Sequence, residues 1–336
     1  MILKNLEKSL KWYILAAVIL CLCPSGLMAG ESCRIVNGSF ADDSRNRVVP
    51  FRVYFPNQLQ EKYPVVIFSH GLGGSRNTAA YLGRYLAENN YLAFHIQHPG
   101  SDSSLWQNSG SKDIMGTMEA SLRNPRNAIN RFQDVPFVLD QLKKLDVSDS
   151  TFKGHLDLEK IGMAGHSYGA RSTMFAAGER IGRGYRSFKD SRIRAGVILS
   201  PKLPRRNVDL ERAYQDIDIP LFHITGTRDG SPLPSSRNMD PAQRTKPYQY
   251  IENNIPQYLL VLHQADHMTF SGRRLDTPAE TEDDQRHIAA VQKGVLAFYD
   301  GYVKGDSEAL KWLRKGFVKT LHKADRFEWK PHTNDP

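Results

Sequence analysis

Apolar residues in this chain fall into short unbroken runs separated by longer amphipathic stretches, and the two kinds alternate from end to end. Residues 48–55 alternate weakly and predict a strand, which Pro50 places at a sheet edge because it cannot donate to a ladder. The run at 64–69 is the pattern of a strand buried on both faces. A helix is predicted over 77–90, with Ala80, Leu82, Tyr85 and Leu86 on one side, and a strand over 91–97. Residues 98–127 are polar, with Trp106 and Met115 as their few large apolar members, and predict a long loop that forms part of a binding site or moves. Helical spacing returns over 128–145, with Phe132, Val135, Val138, Leu139 and Leu142 facing inward and Pro136 in the first turn of a helix that starts near Asp134. An apolar run from Ile161 leads through a tight turn at Ser167 into a further helix. Strands are predicted over 195–200, 220–225 and 258–262, and a closing helix over 288–302. Strands alternating with helices define the α/β class, with a mostly parallel twisted sheet covered by helices on both faces. No repeat, low-complexity tract or linker divides residues 30–336, which predicts a single domain.

Residues 1–29 follow a different pattern. Lys4, Lys8 and Lys11 precede the apolar run 12–22, and Pro24, Ser25 and Gly26 lead to Ala29, in the order of a secretory signal peptide. The run is shorter than the roughly 20 residues of a membrane span. We therefore expect cleavage after Ala29, a secreted or periplasmic protein, and no stable membrane association afterwards. Leu27 stands at the −3 position, where a small residue is expected, so an uncleaved anchor is the alternative. Cleavage removes Cys21 and Cys23 and leaves Cys33 as the only thiol, with no role assigned, which excludes an intrachain disulfide and any two-cysteine scheme.

Formal charge is +9 for the whole chain and +7 without residues 1–29. The excess is local. Residues 171–194 carry seven basic side chains against two acidic ones, and residues 311–330 repeat that balance. Neither stretch has a nucleic-acid recognition motif or interleaved aromatics, so both are expected to be solvated surface, with no nucleic-acid partner. Nothing in the sequence bears on oligomeric state.

Ligands in sheets of this class bind past the carboxyl ends of the strands, and three titratable positions stand there. Ser167 is the centre of Gly165-His166-Ser167-Tyr168-Gly169, a G-x-S-x-G turn between strand and helix. Asp229 follows the run 221–225, and His267 follows the run 258–262. A serine hydroxyl becomes a useful nucleophile when an imidazole removes its proton, and the imidazole needs a carboxylate to fix its tautomer. The negative oxygen formed next needs two backbone donors, here the N–H groups of Tyr168 and of Leu72 in His70-Gly71-Leu72-Gly73-Gly74. Asp266 is the rival acid, but side chains of adjacent extended residues point apart, which turns it away from His267. The letters His263-x-x-Asp266-His267 lack the helix that would set two histidines on one face, so no metal is expected. His70 and His166 are read as packing residues.

Ser69-His70-Gly71-Leu72-Gly73-Gly74, the Ser167 turn, Thr225-Gly226-Thr227-Arg228-Asp229 and Gln264-Ala265-Asp266-His267-Met268-Thr269-Phe270 together resemble the bacterial dienelactone hydrolase-like group. That group is similar to platelet-activating-factor acetylhydrolases and cutinase-type polyester hydrolases. The resemblance runs from about Val48 to the C-terminus and includes Arg131-Phe132-Gln133-Asp134-Val135. It implies an α/β-hydrolase fold, serine esterase activity, and triad roles for Ser167, Asp229 and His267. Dienelactone hydrolases proper use a cysteine nucleophile, and the serine at 167 points to general carboxylic esters instead of lactones.

The function expected is hydrolysis of short-chain or small soluble esters through an acyl-enzyme, without metal or organic cofactor. A lipase, a polyester hydrolase, an acyltransferase and a non-catalytic binding protein on the same fold are the alternatives. The substrate entrance is expected between residues 98–127 and 231–256, with Trp106 and Tyr168 as apolar wall and no broad apolar lid.

Overall fold

The computed structural model describes residues 32–107, 113–182, 184–202, 208–251, 254–275, 277–278 and 280–330; the predicted signal segment lies outside them. Nine strands form one sheet: β1 (Cys33–Asp42), β2 (Arg47–Pro56), β3 (Tyr63–Ser69), β4 (Leu92–Ile96), β5 (Leu156–His166), β6 (Ile193–Leu199), β7 (Leu221–Arg228), β8 (Gln257–Asp266) and β9 (Arg326–Lys330). Their spatial order is β1-β2-β4-β3-β5-β6-β7-β8-β9. The six strands from β4 to β8 run parallel, and β1, β2 and β9 are antiparallel to their neighbours. This is the α/β-hydrolase fold.

Burial of β3 explains its unbroken apolar run. Val65 and Ile67 join the core beneath α4 (Pro125–Ser148), while Val66 and Phe68 join the opposite core beneath α1 (Ala80–Glu88) and α8 (Glu282–Tyr299). Successive side chains of a strand point to opposite faces, so a strand covered on both has no position for a polar residue. The Ser167 turn opens α5 (Tyr168–Ala177), which packs on the α4 face. β4 lies on one side of β3 and β5 on the other, so the chain reverses direction across the sheet at the carboxyl end of β3. Such a reversal opens a crevice for ligands.

Several expectations are corrected here. β2 is the second strand, not the edge: β1 pairs with it along its whole length. Pro50 is tolerated because it stands at the end of the β2–β4 ladder: its carbonyl accepts from Gln97 N just beyond the last pair, Phe51 with Ile96, and the ring forgoes only the reciprocal, terminal bond. Residues 98–127 are no structureless loop, since they contain α2 (Ser104–Gln107) and α3 (Ile114–Arg123), the latter capped by Asp113. α4 starts at Pro125 with Asn124 as its cap, so Pro136 lies mid-helix and not in the first turn. The closing helix begins earlier than predicted, at a Thr281–Asp284 capping box, and ends at Tyr299 before a wide turn and α9 (Ser307–Lys315).

Candidate active site

Ser167 is the first residue beyond β5, with φ of 56° and ψ of −108°. A non-glycine residue in that region is strained and persists only where its surroundings hold it. They do so by close approach: a Cβ on Gly165 would overlap the Gly169 carbonyl, and one on Gly169 would overlap the Ser69 carbonyl. Strand and helix therefore meet nearly backbone to backbone, and the serine is pushed out above the sheet. Its N–H donates to Leu199 O at 2.9 Å, which fastens the turn to β6.

β8 delivers His267 and β7 delivers Asp229 to the same spot. His267 Nε2 is 2.9 Å from Ser167 Oγ, and His267 Nδ1 is 2.8 Å from Asp229 Oδ1. With Nδ1 protonated and bonded to the carboxylate, Nε2 is left to accept the serine proton. Asp229 is wholly buried; Thr225 Oγ1 donates to its Oδ2 at 2.8 Å, and Arg244 Nε lies 3.0 Å from its Oδ1. Burial pushes the Asp229 carboxyl up, but the Arg244 charge and the bond from His267 outweigh it and hold the group at about 2. Arg244, itself buried, also donates to the carbonyls of Asp229, Ser200, Pro201 and Gly230. Its Nη2 comes within 3.1 Å of His267 Nδ1, which is a close approach of two donors on either side of the shared Asp229 carboxylate.

Asp266 has a different task. Its Oδ1 accepts from the N–H groups of Met268 and Thr269 at 2.9 and 3.0 Å and pairs with Arg274, so it shapes the turn that presents His267. His166 Nε2 is 2.9 Å from the His267 carbonyl, and burial pushes its imidazole down to about 3. His70 is also held well below its usual range, first by burial and then by the Arg131 charge; its Nε2 accepts from His98 N. Both are neutral rings that brace backbone. Among the described residues no group of three histidine, cysteine or acidic side chains could hold a metal.

The glycine-rich loop after β3 faces the Ser167 turn. A Cβ on Gly71 would come 3.4 Å from Ser167 Cβ, which sets Leu72 beside Ser167. Both Leu72 and Tyr168 border the cleft above Ser167, which has a volume of about 2060 Å³. Trp106 borders it too, with Nε1 donating to Gly73 O at 2.8 Å. The segment 98–127 was expected to offer little apolar surface. Instead Ile114, Met115, Met118 and Leu122 of α3 stand with Trp106 along one side of the cleft as an apolar arc.

Sequence reasoning assigned no role to Arg131, whose side chain is completely buried beneath this loop. It donates to Ser172 Oγ at 2.9 Å, Ser101 Oγ at 2.8 Å, Ser69 Oγ at 3.0 Å and the His70 carbonyl. Its guanidinium lies 4.6 Å from the centre of the Tyr168 ring. Ser69 Oγ is in turn 2.9 Å from His98 Nε2, and His98 Nδ1 is 2.9 Å from Asp134, which also holds Arg45 and Arg47. A legible signal existed: Arg131 and Asp134 interrupt the inward face of α4 between Phe132, Val135 and Val138, where a charge is tolerated only if partnered. Arg244 left no such trace, because its acceptors are mostly carbonyls of distant loops.

A strained serine between strand and helix, an imidazole from β8 and an acid from β7 thus stand in hydrogen-bonding line on an α/β-hydrolase fold, the arrangement that serine nucleophiles require. Comparison with known proteins narrows the class. Residues 37–116 match the family model described as platelet-activating factor acetylhydrolase, isoform II. Platelet-activating factor acetylhydrolase of Cavia porcellus is 27% identical over 200 residues, 52% of this chain and 43% of that protein. The Canis lupus familiaris protein of that name is 26% identical over 200 residues, 52% of this chain and 42% of its own length, and the Bos taurus protein 27% over 194 residues, 50% and 41%. The match thus spans less than half the length of these relatives. Over these residues the chain is similar to platelet-activating factor acetylhydrolases, on an α/β-hydrolase fold.

Proposed function

We propose that this protein hydrolyses carboxylic esters through an acyl-enzyme on Ser167. The observation that carries this reading is the unbroken line from Asp229 Oδ1 through His267 to Ser167 Oγ, with links of 2.8 and 2.9 Å. In the first half-reaction Ser167 Oγ attacks the ester carbonyl while His267 Nε2 takes its proton. His267 returns that proton to the departing alcohol, leaving the acyl group on Ser167. In the second half, water loses a proton to His267, attacks the acyl carbonyl and releases the acid, and Ser167 recovers its proton.

Charge developing on the carbonyl oxygen is met by the Tyr168 N–H, in the first turn of α5, where amides lack intrahelical acceptors and the helix dipole is positive. Leu72 N–H is the second donor we assign; a donor of this kind is worth about 3 kcal/mol of barrier. Arg131 holds both sides of this hole, through the His70 carbonyl and the Tyr168 ring. The relatives are named acetylhydrolases, which supports short acyl groups. Reading residues 1–29 as an export signal puts the reaction outside the cytoplasm.

A fluorophosphonate probe tests the proposal. It should label the native protein at Ser167 and leave Ser167→Ala unlabelled, and a chain-length series of 4-nitrophenyl esters should be cleaved best at the acetyl and butyryl end. An unlabelled, folded protein that leaves every ester intact would falsify this reading.

A further inference from the structure

The basic stretch 171–194, expected to be plain solvated surface, borders the cleft above Ser167. Arg171, Arg180 and Arg186 line it from α5 and the loop that follows. Lys202 beyond β6, Arg237 beyond β7 and Arg273 beyond β8 line it from three other segments. No aspartate or glutamate is among the described residues lining the cleft. The catalytic Asp229 is wholly buried behind His267, and Glu119 on α3 is tied down by Ser235 N–H at 2.7 Å.

Of the eight basic side chains that line the cleft, Arg244 is taken up by Asp229 at 3.0 Å, Arg180 is held by Asp216 at 2.5 and 2.8 Å, and Arg171 and Arg123 each stand 3.6 Å from a carboxylate, Glu179 and Glu119. Arg186, Arg237 and Arg273 are exposed, and none is paired with a carboxylate among the described residues. Arg186 lies over the Phe188 ring at 4.7 Å, an arrangement that orders a guanidinium without neutralising it. Four chain segments therefore bring charge of one sign to one cleft, whose apolar lining includes Trp106, Ile114, Met115 and Met118 of α2 and α3.

We propose that the substrate is an anionic ester, with an apolar body and a carboxylate or phosphate set apart from the scissile bond. This rests on the reading of Ser167 as a hydrolytic nucleophile. A cleft lined by one sign of charge concentrates counter-charged solutes and raises their association rate by about 10- to 10³-fold. Guanidinium groups add directional, bidentate bonds to carboxylate and phosphate. A substrate carrying an ammonium group meets like charge from these segments. Hydrolysis proceeds by the two half-reactions above, and the anion takes no part in bond exchange.

Matched pairs of esters test this with the full chain. The acyl-side pair is 4-nitrophenyl hydrogen glutarate against 4-nitrophenyl valerate; the alcohol-side pair is 4-acetoxybenzoate against its methyl ester, and 4-acetoxyphenyl phosphate separates phosphate from carboxylate. At least one anionic member should exceed its neutral partner in kcat/KM by roughly tenfold or more at low ionic strength, chiefly through KM. The ratio should shrink toward one in about 1 M salt, where screening acts within roughly 3 Å. It should shrink likewise in the combined Arg186→Gln, Arg237→Gln, Arg273→Gln variant, and persist in Arg326→Gln on the far edge strand. Neutral esters cleaved as well as both kinds of anion, or a ratio deaf to salt and to the triple variant, overturns the proposal while leaving the esterase intact. Absence of any hydrolysis together with absence of fluorophosphonate labelling overturns both.

Discussion

Arg131 and Tyr168 stack with the guanidinium carbon 4.6 Å from the ring centroid, directly behind the amide that we assign to the oxyanion hole. Among the described residues Arg131 has no carboxylate in contact, and it donates to three hydroxyls and the His70 carbonyl. Burial holds its guanidinium down at about 10, against the attraction of Tyr168, Asp134 and Asp102, and it stays charged at neutral pH. A buried charge of this kind is costly and is retained where position matters.

Arg131→Lys keeps the charge but loses the planar fork that reaches four acceptors. The expected result is a kcat lower by about 10- to 10²-fold with KM little changed, because a displaced loop weakens a bond made only in the transition state. A loss confined to thermal stability, with kcat intact in the folded variant, would reduce Arg131 to a structural residue.

Ser167→Ala removes the nucleophile and no packing, since the side chain points into the cleft. Hydrolysis should fall by about 10⁴-fold or more, and the melting temperature should stay within a degree or two of the parent. Steady-state assay and calorimetry on one preparation decide this, and turnover near the parental rate contradicts a serine mechanism.

The two neighbouring acids separate cleanly. Asp229→Asn should lower kcat by about 10⁴-fold through the wrong imidazole tautomer. Asp266→Asn weakens only the turn after β8 and its pair with Arg274, so its effect on kcat should stay within about tenfold. The reverse ranking in folded variants places the acid on the wrong strand.

Glu179 gives a pH signature. It is buried, and its Oε1 is 3.6 Å from Arg171, beyond hydrogen-bonding distance. Burial raises its carboxyl to about 7, against the pull of Arg171. A folded-state value above the unfolded one means the native protein retains a proton that the unfolded chain gives up. Stability is therefore full below about pH 4 and falls as pH rises through about 7. Glu179→Gln should stabilise by about 3 kcal/mol at pH 8 and hardly at all at pH 4. Urea unfolding at the two values measures the difference, and equal shifts at both contradict the account.

The parallel strands, and the meeting of Ser167, Asp229 and His267, were legible because each of the three follows an apolar run, and strand burial on both faces leaves an unmistakable pattern. The edge strands were not. β1 mixes Arg34, Asn37, Gly38 and Ser39 into its apolar positions, and β9 is five residues with two charged side chains facing solvent. One-sided burial at a sheet edge dilutes the periodicity that identifies a strand. The helices within 98–127 were concealed by the polar residues around a narrow apolar stripe. Arg131 left a trace as a charge on the inward face of α4, whereas Arg244 left none, because its acceptors are mainly backbone carbonyls that only the folded chain assembles.

Asp134 ties the catalytic support to the first hairpin, since Arg45 and Arg47 at the β1–β2 turn are two of its three cationic or imidazole partners. This sets a limit on trimming. A chain shortened past Arg47 strands a carboxylate in the interior, and the disturbance passes through His98 and Ser69 to the loop carrying Leu72. A sheet edge more than a hundred residues from Ser167 in sequence is thus wired to the loop beside it.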